Sequence, residues 1–275
     1  MKMAKYGSKF EFNGKSSEDY GVILASVGET NSYEMGLDRS IIRGEINKYR
    51  TQVNHLGTKY ADVLLFEFTI VKNPCDNANQ KDMMFTRSEI RNINAWLTGP
   101  EIPKILHFYD SDEYVDYFAI ISNVTDNAIG DKIYSLTFSV TCDSPFGYSE
   151  LITKTISSTS SMTSTITNLS DDISNYVYPI ITITPNVTGT VTIKNTTDEE
   201  QSISISVKKG LEITVNCKLQ TFYDSIGLLD LADIGLSDEF DIYIPRLLCG
   251  DNSITITGNC SATFKYRYPK KVGAY

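Results

Sequence analysis

The feature that most constrains the fold is the alternation of apolar and polar residues in short runs through the second half of the chain. One run is SISISV, in which Ile203, Ile205 and Val207 face one way and three serines face the other. The same period of two recurs in YPIITITP, TVTIKN and LEITVNC, with turn-forming residues between the runs. A period of two predicts strands with one buried face. Short strands of this kind joined by short turns are typical of an antiparallel β-sandwich, which we expect here.

A segment rich in Ser and Thr precedes this sandwich. It runs from Thr153 to Thr167 as TKTISSTSSMTSTIT, and 11 of its 15 residues are Ser or Thr. This composition is too polar for a core element, although Thr is a good strand former. We interpret the segment as a linker running into an edge strand. The domain boundary is placed just before it, giving residues 1–150 and 151–275.

Residues 1–150 are also predicted to be mainly β. The stretch KFEFNGK places Phe10 and Phe12 on one face of a strand that ends in a turn at Asn13-Gly14. A buried strand is predicted for the apolar run ADVLLFEFTIV. Two strands around an acidic turn are predicted for KILHFYDSDEYVDYFAIISNV, and one more for DKIYSLTFSVTC.

One helix is predicted, in TRSEIRNINAWLTGP. Thr86 is placed to cap its first turn, and Glu89, three residues on, completes a capping box. Ile90, Ile93 and Leu97 then share one face at helical spacing. The Gly-Pro pair that follows provides the stop. The single tryptophan of the chain lies beside the apolar face, and we expect it to pack on a sheet.

The segment from Ile244 to Tyr268, IPRLLCGDNSITITGNCSATFKYRY, contains two further strands. Pro245 marks a strand end because it cannot donate a ladder hydrogen bond. A reversing loop is expected at Gly250-Asp251-Asn252, and the chain is expected to turn again at Gly258-Asn259. These turns predict a β-meander that closes the sandwich. The pattern indicates no catalytic role for it.

Composition excludes several classes of function. The net charge is −9 and the pI is near 4.8, and neither half carries the basic stripe that nucleic-acid binding requires. The longest apolar stretch, VLLF, is far short of the roughly 20 residues of a membrane helix. No apolar run follows the basic N-terminus, so we expect no signal peptide. Five cysteines without a Cys-x-x-Cys pair predict free structural thiols rather than a disulfide framework or a zinc site.

Catalytic signatures are absent from the sequence. There is no Gly-x-Ser-x-Gly elbow, His-Glu-x-x-His pair or phosphate-binding glycine loop. Of the two histidines, His107 lies in a predicted strand and is expected to be a packed or surface residue rather than a ligand. A calcium loop beginning at Asp110 fails, because Val115 replaces the required glycine and Ile121 the bidentate glutamate. We therefore expect no catalytic residues, no metal and no cofactor.

Several motifs carry a family resemblance that spans essentially the whole chain. They are FEFNGKSSEDYGV, SEIRNINAWLTGP, FSVTCDSPFGYSE, YPIITITP, VTIKNTT and IPRLLCGDNSITITGN followed by FKYRYP. Together they resemble the distal tail proteins of long-tailed bacteriophages that infect Gram-positive bacteria. One departure is Cys249, where a proline is expected. The positions that carry the most specific motifs are fold signatures rather than catalytic ones: Trp96, Leu97, Gly99, Pro100, Pro145, Phe146, Pro245, Arg246, Gly250, Asp251 and Asn252.

The resemblance implies a structural role. Residues 1–150 would form a β-rich, one-helix domain that assembles into a hexameric ring with a central channel. Residues 151–275 would form an outward β-sandwich similar to galectins and carbohydrate-binding modules. The implied partners are further copies of the chain, the tail tube, tape-measure and tip proteins, and receptor-binding proteins of a baseplate. The implied location is the distal end of the virion tail, after assembly in the host cytoplasm.

Two alternatives remain from the residues themselves. The sandwich is also compatible with a carbohydrate-binding module for host adsorption, although its half of the chain has no Trp or His and would have to stack a sugar on Tyr. An enzyme acting on cell-wall polymer would need a constrained catalytic set, which the sequence does not supply. The same hub in a contractile tail or a tail-derived bacteriocin is not distinguished by sequence.

Overall fold

The computed structural model divides the chain into two compact units. Unit 1 comprises Met1–Tyr148 and Lys271–Tyr275, and unit 2 comprises Ser149–Lys270. The structure describes residues 8–25, 39–44, 54–60, 62–77, 79, 81–109, 113–236 and 243–271. Both units are built mainly of antiparallel strands, which confirms the mainly β class expected from sequence.

The elements of unit 1 are β1 Phe10–Phe12, β2 Lys15–Ser16, a 3-10 helix Ser17–Tyr20, β3 Val22–Ala25, β4 Arg39–Arg43, β5 His55–Tyr60, β6 Leu65–Lys72, α1 Arg87–Leu97, β7 Lys104–Phe108, β8 Asp116–Ile129, β9 Lys132–Cys142 and β10 Gly147–Tyr148. Those of unit 2 are β11 Ile152–Ser158, β12 Ser161–Asn168, β13 Ile180–Pro185, β14 Gly189–Asn195, β15 Gln201–Val207, β16 Ile213–Asn216, β17 Thr221–Tyr223, a 3-10 helix Ala232–Ile234, β18 Gly250–Thr257, β19 Cys260–Tyr266 and β20 Pro269–Lys270.

Unit 1 is organised by one large antiparallel sheet. Its strand order is β2-β1-β7-β8-β9-β6-β3, and β10 pairs with β8 through Tyr148 and Asp116. The β4–β5 hairpin forms a separate two-stranded sheet. The predicted turn after β1 is confirmed, with Asn13 and Gly14 at φ of 52° and 72°. The predicted acidic turn between β7 and β8 lies at residues 110–112, outside the described residues.

The core of unit 1 is aromatic and centres on the tryptophan of α1. Trp96 stacks between Phe10 and Tyr20, with ring centroids 5.5 and 4.2 Å away. Its indole Nε1 donates to the carbonyl of Phe12 at 3.0 Å, so the one polar atom of the ring is satisfied inside the core. The prediction that the tryptophan packs on a sheet is confirmed.

The helix begins as its capping box predicts. The amide of Glu89 donates to the Thr86 hydroxyl at 3.3 Å, and the amide of Thr86 donates to the Glu89 carboxylate at 2.7 Å. The other carboxylate oxygen of Glu89 lies 2.7 Å from Lys72 Nζ on β6. Among the described residues, no helix is both long and apolar enough to cross a lipid bilayer.

The helix ends in a different way from the predicted glycine stop. Its C-cap is Thr98, whose amide and hydroxyl both donate to the carbonyl of Asn94. Gly99 does not take a positive φ. Its function is close approach, because a Cβ built there would lie 2.4 Å from the carbonyl oxygen of Ala95.

Strand β6 corrects one expectation. A buried strand was predicted for the apolar run ADVLLFEFTIV, but β6 has only one buried face. That face carries Phe66, Phe68 and Ile70, while Leu65 is exposed. The sheet covers the core on one side only, so the alternate positions of an apolar run face away from it.

Unit 2 is the expected antiparallel β-sandwich. One sheet has the order β11-β19-β13-β16-β17 and the other the order β12-β18-β14-β15. The predicted inward residues Ile203, Ile205 and Val207 are buried in a single core with Ile181 and Phe264 of the facing sheet. The segment that follows β17 contributes to this core, because Ile234 of its 3-10 helix is buried. Its residues 237–242 lie outside the described residues.

The prediction of a linker in the Ser/Thr-rich segment is wrong, whereas the prediction of an edge strand there is confirmed. The segment forms β11 and β12, which are edge strands of different sheets. Their hydroxyl side chains pair across strands, with oxygen–oxygen distances of 3.0 Å for Thr155–Thr263 and 2.8 Å for Thr163–Thr255. A polar composition is therefore compatible with a strand because these hydroxyl groups lie on the outer faces and hydrogen-bond one another.

The predicted C-terminal meander is also wrong. Strands β18 and β19 follow each other in sequence but belong to opposite sheets, so Gly258-Asn259 is a crossing between sheets rather than a hairpin turn. The stretch 152–168 pairs with 250–266 in one unbroken antiparallel register on both sides of this crossing. The two bends meet where the amide of Gly258 donates to the carbonyl of Ser160 at 2.8 Å.

Substituting Gly99 tests the close approach at the end of α1. Gly99→Ala introduces a methyl group against the Ala95 carbonyl, and we expect it to lower the free energy of unfolding of unit 1 by about 1–3 kcal/mol, as overpacking does. Urea unfolding followed by fluorescence of the single tryptophan measures the change. Gly44→Ala is the matched control, because a Cβ there meets Asn54 only at ordinary contact distance. Equal midpoints for the two variants would contradict the argument.

Candidate functional site

The segment Pro245–Asn252 is held by a charged cluster at its start. The Arg246 guanidinium makes two hydrogen bonds to Asp198, with Nε at 2.8 Å and Nη2 at 3.1 Å from separate carboxylate oxygens. It also lies over the ring of Tyr176, with Cζ 3.8 Å from the centroid. The hydroxyl of Tyr243 donates to Asp198 at 2.5 Å. Pro245, beside this cluster, is buried.

The contacts within this cluster determine the pKa values, and so the charge states, of its side chains. The Arg246 guanidinium, aided by the Tyr243 hydroxyl, holds the pKa of the Asp198 carboxyl below its usual value, against the opposing effect of burial. Burial raises the pKa of the Tyr243 hydroxyl, and its bond to Asp198 raises it further. Arg246 and Asp198 are therefore charged and Tyr243 neutral across the whole physiological range.

Three asparagines hold the rest of the segment. Asn252 is fully buried; its amide group donates to Leu248 O at 2.8 Å, and its side-chain oxygen accepts from Leu248 N at 2.9 Å. Asn195 donates to Arg246 O and to the side-chain oxygen of Asn252, both at 3.0 Å. Asn168 donates to Leu248 O at 3.1 Å. These amides satisfy backbone groups that no strand pairs, so the network positions a loop rather than a substrate.

Residues 250–252 begin β18 and do not form the reversing loop expected from sequence. Gly250 has a φ of 92°, which agrees with the expectation of positive φ at this glycine. Asp251 accepts a hydrogen bond from the hydroxyl of Thr167 on β12 at 2.6 Å. Cys249, at the position where the resemblance implies proline, is exposed. Its thiol lies 3.3 Å from the carbonyl oxygen of Ser170.

The signature residues of unit 1 form two local groups. Trp96, Leu97, Gly99 and Pro100 lie at the end of α1, where the first two are buried and the last two follow the Thr98 C-cap. Pro145 is half-buried, and Phe146 is buried with its ring edge-on to Tyr60, at a centroid distance of 4.8 Å. Lys271 Nζ lies 5.5 Å from the centroid of the same phenyl ring. Neither group gathers a nucleophile, an acid and a base.

His107, expected to be a packed or surface residue, is packed. Its Nδ1 lies 3.0 Å from both the Asp116 carboxylate and the carbonyl of Val115, and its ring contacts Tyr109 and Tyr114. Burial alone would lower the pKa of this imidazole, but the bond to Asp116 and its charge raise it overall. This pairing was not predictable from sequence patterns, because Asp116 lies on the neighbouring strand.

The remaining chemistry of the described residues is sparse. No group of three or more His, Cys, Asp or Glu side chains among them is arranged to hold a metal ion. Burial raises the pKa of the Cys142 and Cys217 thiols to about 12, so both are protonated and unreactive. A groove of about 550 Å³ in unit 2 is lined by Thr, Ser, Asp, aliphatic and lysine side chains, the lysine being Lys208. None of the described residues lining it is aromatic, so it offers no ring on which a sugar could stack.

The surface that stands out is the β4–β5 hairpin. It pairs only with itself among the described strands, and Ile41, Ile42 and Leu56 are 48%, 42% and 65% exposed. Arg39 lies over the ring of Tyr60, 5.0 Å from its centroid. Sequence analysis assigned no role to this hairpin, although RSIIR carries two adjacent isoleucines between basic residues. An apolar surface on an isolated hairpin is a candidate interface.

Comparison with protein families gives two matches that together span most of the chain. Residues 5–144 match a family described as phage tail protein N-terminal domain. Residues 146–266 match one described as phage tail C-terminal domain. No curated protein matches the sequence.

Solved structures share the fold at low sequence identity. A crystal structure described as SPP1 Dit (gp 19.1), a paradigm of the hub adsorption apparatus in phages infecting Gram-positive bacteria, aligns with a TM-score of 0.64 and 14% identity, over 94% of this chain and 98% of that chain. A chain of the phage P2 baseplate in its activated conformation with Ca aligns with a TM-score of 0.57 and 9% identity, over 96% of this chain and 98% of that chain.

These matches confirm the resemblance found in the sequence motifs at the level of family and fold. They also agree with a structural component of a tail or baseplate, since the matched families and structures are described in those terms. The chain belongs to the phage tail protein family, and its fold is that of the Dit hub proteins.

Proposed function

We propose that the protein is the distal hub of a phage tail, in which residues 1–150 form a hexameric ring around a central channel. Residues 151–275 form the outward domain. The role is mechanical: the ring joins the tail tube to the tip and anchors the tip and receptor-binding proteins. In this proposal the protein is not an enzyme, and its place is the distal end of the virion tail.

The observation that carries this proposal is the exposed β4–β5 hairpin of unit 1. Its apolar side chains, including Ile41 and Leu56, lie on a two-stranded sheet that no other described strand joins. Such a hairpin gains stability when a second surface covers it, since two strands alone are marginal in water. A closed ring needs heterologous contacts, in which one surface of each copy fits a different surface of the next. The hairpin supplies the first of these surfaces.

The structure of unit 2 supports a scaffolding role for residues 151–275. Its largest polar network, around Arg246 and Asn252, makes its hydrogen bonds to backbone and side-chain groups of the same unit. The groove in this unit has no aromatic lining among the described residues, so the carbohydrate-binding alternative receives no support from its geometry. We propose the tube, tape-measure, tip and receptor-binding proteins as partners, as the family resemblance implies.

Charging the hairpin tests the ring. The double variant Ile41→Lys/Leu56→Lys places lysines on two exposed positions, so the fold of a single chain is expected to survive while neighbours repel. Light scattering after size exclusion is expected to give a hexamer for the natural protein and the 30.8 kDa single chain for the variant. Ile129→Lys, at another exposed isoleucine of unit 1, is the control and is expected to leave the hexamer intact. A hexamer that survives in the double variant would contradict the proposed interface.

Substituting Arg246 separates the outward domain from the ring. Arg246→Ala removes two hydrogen bonds to a charged group, and we expect unit 2 to lose about 1.5–3 kcal/mol of stability without any change in assembly. Denaturant unfolding followed by near-ultraviolet circular dichroism reports the loss, and light scattering reports the assembly. Loss of the hexamer together with an unchanged unfolding transition would overturn this division of roles.

The Arg246–Asp198 pair is also expected to make the stability of the protein depend on pH. Because the folded pKa of Asp198 is depressed, its stabilisation is present above the ordinary aspartate pKa and is lost as pH falls through the depressed value. The natural protein is therefore expected to lose more stability than Arg246→Ala when the pH is lowered from 6 toward 3. Parallel stability curves for the two proteins would show that the pair contributes nothing.

A further inference from the structure

The two sheets of unit 2 protect their edges unequally. Beyond β17 the chain folds back, with the amide of Leu229 donating to Phe222 O at 2.8 Å and a bridge between Tyr223 and Leu228. Beyond β15 the turn of the 3-10 helix packs closely, since a Cβ on Gly235 would lie 2.6 Å from Ser206 Oγ. These two edges are therefore covered by the same loop.

The opposite edge of the second sheet, strand β12, has no such cover among the described residues. Its backbone pairs with β18 on one side, from Ser161 opposite Thr257 to Asn168 opposite Gly250, with no bulge. On the other side no described strand joins it, and the only further bond to its backbone from a described residue is from Tyr266 Oη to Thr167 O. A regular row of unpaired amides and carbonyls is a template for another strand.

Strand β12 also lacks the features that normally block such pairing. Its sequence, SMTSTITN, contains no proline, no glycine and no charged residue. Natural edge strands are usually protected by lysine, proline or a bulge, and none of these is present. The composition and geometry of β12 are those of a strand that accepts a partner.

An incompletely buried apolar side chain points to the same edge. Met162 occupies a core-facing position of β12, in register with Ile256, which is fully buried. Met162 nevertheless remains 50% exposed, because the sandwich ends beside it. A strand added along β12 would extend the sheet over this side chain and remove it from water.

We propose that β12 pairs with β12 of a second copy of this chain, antiparallel about a two-fold axis. The two four-stranded sheets then become one continuous sheet across the pair. A second copy fits this edge because the outer face of β12 carries only Ser and Thr hydroxyls, and such hydroxyls already pair across strands in unit 2, as Thr163 does with Thr255 at 2.8 Å. Strand β12 itself carries no charge, so two copies meet at this edge without like charges directly opposite each other. A two-fold contact of this kind doubles the mass of a single chain and of an assembled ring alike. The proposal therefore does not depend on the proposed ring.

A concentration series tests this contact on the full chain. Light scattering is expected to show the mass of the natural protein doubling as concentration rises. Thr165→Lys puts a charge on an exposed position of β12, and we expect it to shift the midpoint of doubling to at least tenfold higher concentration. The matched control is Thr184→Lys on β13, an interior strand of the other sheet, where the same residue is also exposed.

Hydrogen exchange supplies a readout that does not depend on a variant. Amides of Ser161–Asn168 are expected to exchange more slowly as concentration rises, whereas those of Ile213–Asn216 are not. Met162→Ser, at a half-exposed position, is a second variant for the case in which Thr165→Lys does not fold. It is also expected to weaken the doubling. Equal masses for the natural protein and both β12 variants at every concentration would overturn the proposal. So would a doubling that Thr184→Lys abolishes equally, or exchange of β12 amides that concentration does not alter.

Discussion

The sandwich of unit 2 depends on one antiparallel ribbon that keeps its register while passing from one sheet to the other. Residues 152–168 pair with 250–266 on both sides of the bend, so the ribbon contributes β11 and β19 to one sheet and β12 and β18 to the other. Each backbone group that the ribbon pairs is satisfied without help from side chains. The two sheets are thus linked by continuous hydrogen-bonded backbone as well as by the apolar core between them. The asparagine network around Asn252 then satisfies the irregular segment that leads into the ribbon.

Sequence patterns predicted what is local and missed what is distant. The capping box of α1 and the turn at Asn13-Gly14 involve residues within a few positions, and both were found. The sheets to which β11 and β12 belong are set by pairing over about a hundred positions, which alternation does not encode. Consequently the Ser/Thr-rich segment was taken for a linker, and the crossing at Gly258 was taken for a hairpin turn. Polar strands are recognisable only when the hydroxyl partners on the neighbouring strand are known.

The candidate sites show the same limit. Arg246 was singled out by its motif, but its partner Asp198 lies 48 positions away and could not be inferred. The exposure of Ile41 and Leu56 likewise follows from the isolation of their hairpin, which no periodicity reveals. What the motifs did identify were positions that constrain backbone: a close approach at Gly99, a positive φ at Gly250 and buried amides. Such positions define a scaffold, in agreement with the tail-protein family to which the chain belongs.

The long-range ribbon also determines the order in which unit 2 can fold. Its first strand leaves the ribosome about a hundred residues before the strand that pairs with it, so the sandwich stays open for most of its synthesis. During that interval a strand of ordinary apolar composition would expose a surface prone to aggregation. The hydroxyl-rich sequence of β11 and β12 stays hydrated while it waits, yet can pair as soon as its partner emerges. The serines and threonines that resemble a linker thus limit the apolar surface that these two early strands expose while the sandwich is still open.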